Sequence, residues 1–194
     1  MEKKLAPILL RVENSRIRLL DGALDLLGRS GAAGLTVRAT ENAARLPHGS
    51  VRHHFGDRAG MVAALFAHLA DREQVAVEGG PVAAVEHWLG PGRTLTLARY
   101  ELFLMAARDP SLRAPLVRAR ERFVAAAAQV VGPARAATVV AAVDGLILDA
   151  MVRGTHDPER LRDALAQVTG QPSEPRDHWT GDEPTPPGPR SPEA

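Results

Sequence analysis

The chain is expected to fold entirely as α-helices, and three features of its 194 residues point there. Alanine, leucine and arginine are abundant while aromatics make up only 4%, a balance that favours helices, since aromatic and β-branched side chains are what strands use. Apolar residues recur at steps of three and four. No run of alternating apolar and polar residues bounded by hairpin turns occurs. The predicted architecture is an N-terminal three-helix unit joined to a larger helical body.

Helix by helix, the first is expected to begin near Ser15, with Asn14 or Ser15 as its cap. Ile17, Leu20, Leu24 and Leu27 form its apolar stripe, and Gly31 and Gly34 end it. Thr36 then caps a second helix over 37–45, with Val37, Thr40 and Ala44 on one side; Glu41 lies too far along to complete a capping box. Pro47 disfavours helix at Leu46 and suits the first turn of a third, two-turn helix that Gly56-Asp57 closes. Asp57 caps the next, whose stripe is Met61, Leu65 and Leu69. Further helices are predicted at 58–78, 81–89, 93–108, 111–131, 134–153 and 158–168, separated by Gly- and Pro-containing breaks. From Gln171 onward seven prolines and few aliphatic side chains predict a disordered tail. The expected organisation is an extension over 1–13, a first domain over 14–60, a second over 61–170 and the tail over 171–194.

Composition excludes several classes. With no cysteine, disulfides and thiolate metal sites are out. The apolar stretch near the N-terminus is short, contains Pro7 and lacks the marks of a signal peptide. The apolar segment 136–152 carries Asp144 and Asp149, which argues against a membrane span. A cytoplasmic protein without cofactor, metal or membrane partner is expected. No phosphate-binding glycine loop, His-Glu-x-x-His or Gly-x-Ser-x-Gly occurs. His53 and His54 are adjacent, so on a helix they diverge and make a poor metal pair. An enzyme is therefore not expected.

Charge is distributed unevenly although the net value is only +1. Residues 1–60 carry ten Lys/Arg against six Asp/Glu, and the remainder fourteen against seventeen. A basic N-terminal segment on a weakly acidic body suits a polyanion reader, as it suits a solvated basic face. Residues 36–58 favour the former. A helix, a tight turn and a short second helix match the helix-turn-helix, whose second helix enters the major groove of duplex DNA. His48, Gly49 and Ser50 would meet base edges, and Arg38 a base edge or a phosphate. Thr36, Arg52, His53 and Arg58 suit phosphate contacts.

These residues also carry a family resemblance. Gly34-Leu35-Thr36-Val37-Arg38, followed by Ala43-Ala44-Arg45-Leu46-Pro47-His48-Gly49-Ser50-Val51-Arg52-His53-His54-Phe55-Gly56-Asp57-Arg58, resembles the DNA-binding domain of TetR-type repressors over residues 14–62. The resemblance implies an all-helical homodimer that leaves a palindromic double-stranded operator when a small-molecule effector binds. It implies DNA contact by Thr36, Arg38, Pro47, His48, Gly49, Ser50, Arg52, His53 and Arg58, with Val51 and Phe55 packed inside. Two departures stand out. Arg45 replaces a turn glycine, where a left-handed backbone costs a non-glycine residue about 1–2 kcal/mol, and Arg52 replaces a tyrosine.

In the C-terminal part the resemblance is one of layout. The small and apolar helix at 136–151 is expected to be buried on all sides, in a core or in a four-helix dimer interface with either the 158–168 or the 111–131 helix. A mostly apolar effector pocket is expected among Phe66, Trp88, Tyr100, Phe103, Leu104, Met105 and Phe123, whose aromatic rings also suit ordinary core positions, with Asp144 as polar anchor, cap, arginine partner or solvent-facing residue. A helical adaptor, or a DNA binder with no effector and a solid core, is the alternative, and activation rather than repression stays open.

Overall fold

The computed structural model describes residues 2–77, 79–154 and 157–170. Among them the chain forms α1 (Glu2–Gly34), α2 (Val37–Ala43), α3 (Ser50–Phe55), α4 (Arg58–Val77), α5 (Pro81–Leu89), α6 (Arg93–Arg108), α7 (Arg113–Val131), α8 (Pro133–Arg153) and α9 (Pro158–Thr169), with a 3-10 turn at Pro110–Leu112 and no strand. The all-helical expectation holds, and the body helices fall within a few residues of their predicted ends. The predicted tail at 171–194 lies outside the described residues.

Three boundaries differ from the sequence expectation. The first helix starts at Glu2, so Asn14 and Ser15 are interior rather than caps; the preceding stretch is rich in Leu, Lys and Glu, all good helix formers. Its axis kinks at Gly31 (φ 65°) and a last turn continues to Gly34. Ile17 is 39% exposed although it belongs to the predicted stripe. The buried arc is centred on Leu19, Leu20, Ala23 and Leu27, which leaves Ile17 at its rim. Finally, the third helix starts at Ser50 and not at Pro47, because Gly49 takes φ 89° as its N-cap, a conformation that only glycine adopts without strain.

Two apolar cores hold the described helices together. The first joins α1, α3 and α4 to α6 through Leu20, Leu27, Val51, Met61, Phe66 and Leu102. The second, formed by α5, α8 and α9, contains Val85, Trp88, Ile147, Met151, Leu161 and Leu165. Helices α1 and α6 cross at contact distance of their backbones. A Cβ on Gly28 would stand 2.0 Å from the Thr94 carbonyl oxygen, so only glycine permits this approach. Nearby, the Ala32 amide donates to Glu101 Oε2 at 3.2 Å.

Helix α8 is not buried on all sides within the chain. Ala136, Val139, Ile147 and Met151 are enclosed, whereas Leu148 is 44% and Val152 78% exposed. Ala137, Ala141, Gly145, Leu148 and Val152 follow at steps of three and four along one exposed face. The helix packs on α7 and on α5 and α9, and those neighbours do not cover this stripe.

Candidate nucleic-acid interface and effector pocket

Sequence dictates the shape of the reading head at three points. Thr36 is extended (φ −112°, ψ 156°) and its Oγ1 accepts from the Ala39 amide at 3.1 Å, capping α2. At the other end Arg45 has φ 52°. Its amide donates to Asn42 O (3.0 Å) and the Leu46 amide to Glu41 O (2.9 Å), the paired bonds of a Schellman motif. The left-handed turn anticipated at Arg45 is thus present without glycine. Arg18 Nη2 reaches across from α1 to the Ala44 and Arg45 carbonyls (2.6 and 3.2 Å), satisfying helix-end acceptors that would otherwise lack partners.

Glu41 organises the third point, which the sequence reading missed. Its side chain is buried, Oε1 accepts from the Gly49 and Val51 amides (3.0 and 3.1 Å), and Oε2 lies 3.2 Å from His48 Nδ1. The Val51 amide bond, foremost, holds the Glu41 carboxyl below the usual carboxylate range, with His48 and the Gly49 amide acting in the same direction against burial. A carboxylate only accepts, so His48 Nδ1 donates. The signal for Glu41 was its position between Thr40 and Ala44 on the buried side of α2.

Thr36, Arg38, Pro47, His48, Gly49, Arg52, His53 and Arg58 are all exposed and Ser50 half-buried. Ser50 Oγ donates to Pro47 O at 2.6 Å, and Arg58 Nε to Leu35 O at 3.0 Å. Val51 is fully buried and Phe55 packs partly against the first core, with the Arg16 guanidinium 5.4 Å from its ring centre. The face is basic and open; of its two acidic side chains, Glu41 is turned inward onto the backbone and Asp57 accepts from the Gly60 amide.

The expected pocket residues divide. Phe103, Phe123 and the deeply buried Phe66 line a small chamber of about 30 Å³ that also meets Glu73, Arg99 and Arg120. Trp88 and Phe123 line an apolar groove of about 160 Å³ walled by Val130, Val139, Val143 and Leu165. Tyr100 donates its hydroxyl to the Asp144 carbonyl at 2.7 Å. The Asp144 carboxylate is an arginine partner, 2.5 Å from Arg120 Nη1 and 3.9 Å from Arg99 Nε. Leu104 is half-exposed and Met105 packs against the first core; neither lines either cavity.

Between chamber and groove lies a buried charge cluster that the sequence reading also missed. Glu73 and Arg99 are 1% and 5% exposed and pair at 3.1 Å. Arg99 lies over the rings of Trp88 (4.9 Å) and Tyr100 (5.4 Å), and Arg120 over Phe103 (5.2 Å). Burial pushes the Glu73 carboxyl up to about 7, against the pull of the Arg99 charge, and burial likewise raises the Tyr100 hydroxyl to about 12. Trp88 Nε1, Arg99 Nε and Nη2 and both Glu73 oxygens lack a hydrogen-bond partner. Their trace in the sequence was a glutamate on the apolar stripe of α4 and an arginine between Ala98 and Leu102 on α6.

A short helix-turn-helix with an open basic face, carried on a helical body, is the build of a helix-turn-helix transcriptional regulator. Residues 70–171 match the family described as Tetracyclin repressor-like, C-terminal domain, and the chain belongs to the TetR family of transcriptional regulators. It is 35% identical over 104 residues to the HTH-type transcriptional repressor AcnR of Corynebacterium glutamicum, a match covering 52% of this chain and 55% of that protein. The chain thus spans about half the length of that relative. Among solved structures, the multidrug binding protein EbrR complexed with imidazole superimposes with a TM-score of 0.67 at 29% identity, covering 79% of this chain and 93% of EbrR. A TetR-family member from Streptomyces coelicolor gives 0.69 at 28%, covering 79% and 97%. No single helix among the described residues is long and apolar enough to cross a membrane.

Proposed function

We propose that the protein is a cytoplasmic, homodimeric transcriptional repressor that holds a palindromic operator through α3 and leaves it when a small, mostly apolar ligand enters the body. The observation that carries this reading is the Glu41 clamp. It fixes the start of α3 and, by engaging His48 Nδ1, leaves Nε2 as the ring atom available to a base edge, which supports a role for His48 in reading one base pair. Gly49 lets the backbone approach, Ser50 offers hydroxyl lone pairs, and Arg38 reaches a base edge or phosphate. Thr36, Pro47, Arg52, His53 and Arg58 set the register on the backbone. Repression is favoured by the AcnR likeness.

A second copy is expected on the exposed α8 stripe, with α9 completing a four-helix interface. Symmetric pairing supplies the two half-sites that one short recognition helix needs. The groove and chamber favour an effector site over a solid architectural core, and EbrR, solved with ethidium, is a related body that takes small molecules. Selecting duplexes from a random pool at two salt concentrations tests the DNA reading. A palindrome with half-sites about one helical turn or more apart is expected; no enrichment even at low salt would sink it.

A further inference from the structure

Resting on the effector-site reading above, we propose that the groove and the chamber on either side of Phe123 are one site for an amphipathic monocarboxylate, whose apolar body lies beside Trp88 and whose carboxylate takes the place of Glu73 on Arg99. Phe123 lines both spaces, so turning its ring joins them. A groove of about 160 Å³ holds an apolar body of benzene size or a short chain, and the chamber a head group of water size or a little more.

The sign of the head group follows from what faces the chamber. Helix α4 contributes Glu73, α6 Arg99 and α7 Arg120 to its lining; behind them Asp144 of α8 pairs with both arginines, Tyr100 donates to the Asp144 carbonyl, and the uncharged Trp88 of α5 lies under Arg99. The ring faces that would box an organic cation are already covered by guanidinium groups, over Trp88, Tyr100 and Phe103. A cation there would meet two fixed positive charges. An anion in the chamber finds two buried nitrogens of Arg99 that make no hydrogen bond, and the buried Trp88 indole N–H on the groove side is likewise unbonded. Glu73, the carboxylate it replaces, sits at the pH where it readily takes a proton and can then donate to the arriving oxygen. With Glu73 neutral, the two arginines and Asp144 leave one positive charge for the ligand to balance.

Titration calorimetry on the full chain with octanoate, octan-1-ol and octyltrimethylammonium, each below micellar concentration, tests this. Octanoate is expected to bind tightest and to take up about half a proton at pH 7, read from buffers of different ionisation enthalpy. Its Kd should rise about tenfold between pH 8 and 9, as the protonated fraction of Glu73 falls. In Glu73→Gln the affinity for octanoate should no longer depend on pH. The wild-type chain alone decides the sign, so the inference does not hang on how that variant folds. Tighter binding of the cation, strengthening as pH rises, or equal binding of the alcohol would overturn the carboxylate while leaving a small-molecule receptor. Binding of none of the three would overturn the inference too, and duplex selection reads the DNA role independently of every one of these results.

Discussion

The Glu41 carboxylate accepts the Val51 amide at 3.1 Å, so one helix of the reading head caps the next from within the core. Glu41→Ala would leave two amides without their acceptor, one of them buried, and is expected to cost about 2–3 kcal/mol in urea denaturation. Because the folded carboxyl is held low, its contribution is present above the ordinary carboxylate range and lost as pH falls through the lowered value. An unchanged midpoint in the alanine variant would show that the clamp carries no stability.

Arg45 is the one non-glycine residue with positive φ among those described. Arg45→Gly relieves the left-handed penalty and adds some chain entropy in the unfolded state, for a net gain of about 1 kcal/mol. Thermal melting checks it, and a loss of stability would mean that the arginine side chain contributes more than its backbone strain costs.

On DNA, Arg52→Ala should weaken all duplexes alike and reduce the slope of log K against log salt by about one. His48→Ala should instead relax preference at one base pair. Binding titrations at several salt concentrations separate the two. An altered base preference with an unchanged slope in the Arg52 variant would reverse these roles.

At Gly145 an added side chain meets nothing within 4 Å in the subunit. Gly145→Glu is therefore expected to leave the subunit folded while shifting sedimentation from dimer to monomer, because it places a charge on the α8 stripe. A dimer that persists would move the interface elsewhere.

Glu73 gives the body a pH dependence of defined sign. A carboxyl raised to about 7 binds its proton more tightly folded than unfolded, so stability declines between about pH 4.5 and 7 and levels off above. Glu73→Gln should match wild type near pH 4 and exceed it at pH 8, by up to about 3 kcal/mol. Denaturation midpoints at the two pH values measure this, and parallel curves would refute it.

Much of this was legible because it rests on local rules. Thr36 and Asp57, whose Oδ1 accepts the Gly60 amide at 2.8 Å, cap the helices expected of them, and the Met61–Leu65–Leu69 stripe is buried. What stayed hidden depends on partners distant in sequence. Glu73 and Arg99 look like ordinary charges until α4 and α6 are brought together, and Glu41 looks unemployed until α3 folds back over it. Helix α8 was read as enclosed because its composition is apolar nearly all round, but composition does not say which neighbour encloses each side.

Gly28 has the widest consequence. With no side chain between α1 and the Thr94 carbonyl, the long first helix rests on α6 backbone to backbone, and α6 bears Arg99, Tyr100 and Phe103. Side chains could absorb a small displacement by changing rotamer, but two seated backbones cannot. Whatever moves α6 therefore moves α1 with it; α2 packs on α1, so the helix-turn-helix is tied to the body through that joint.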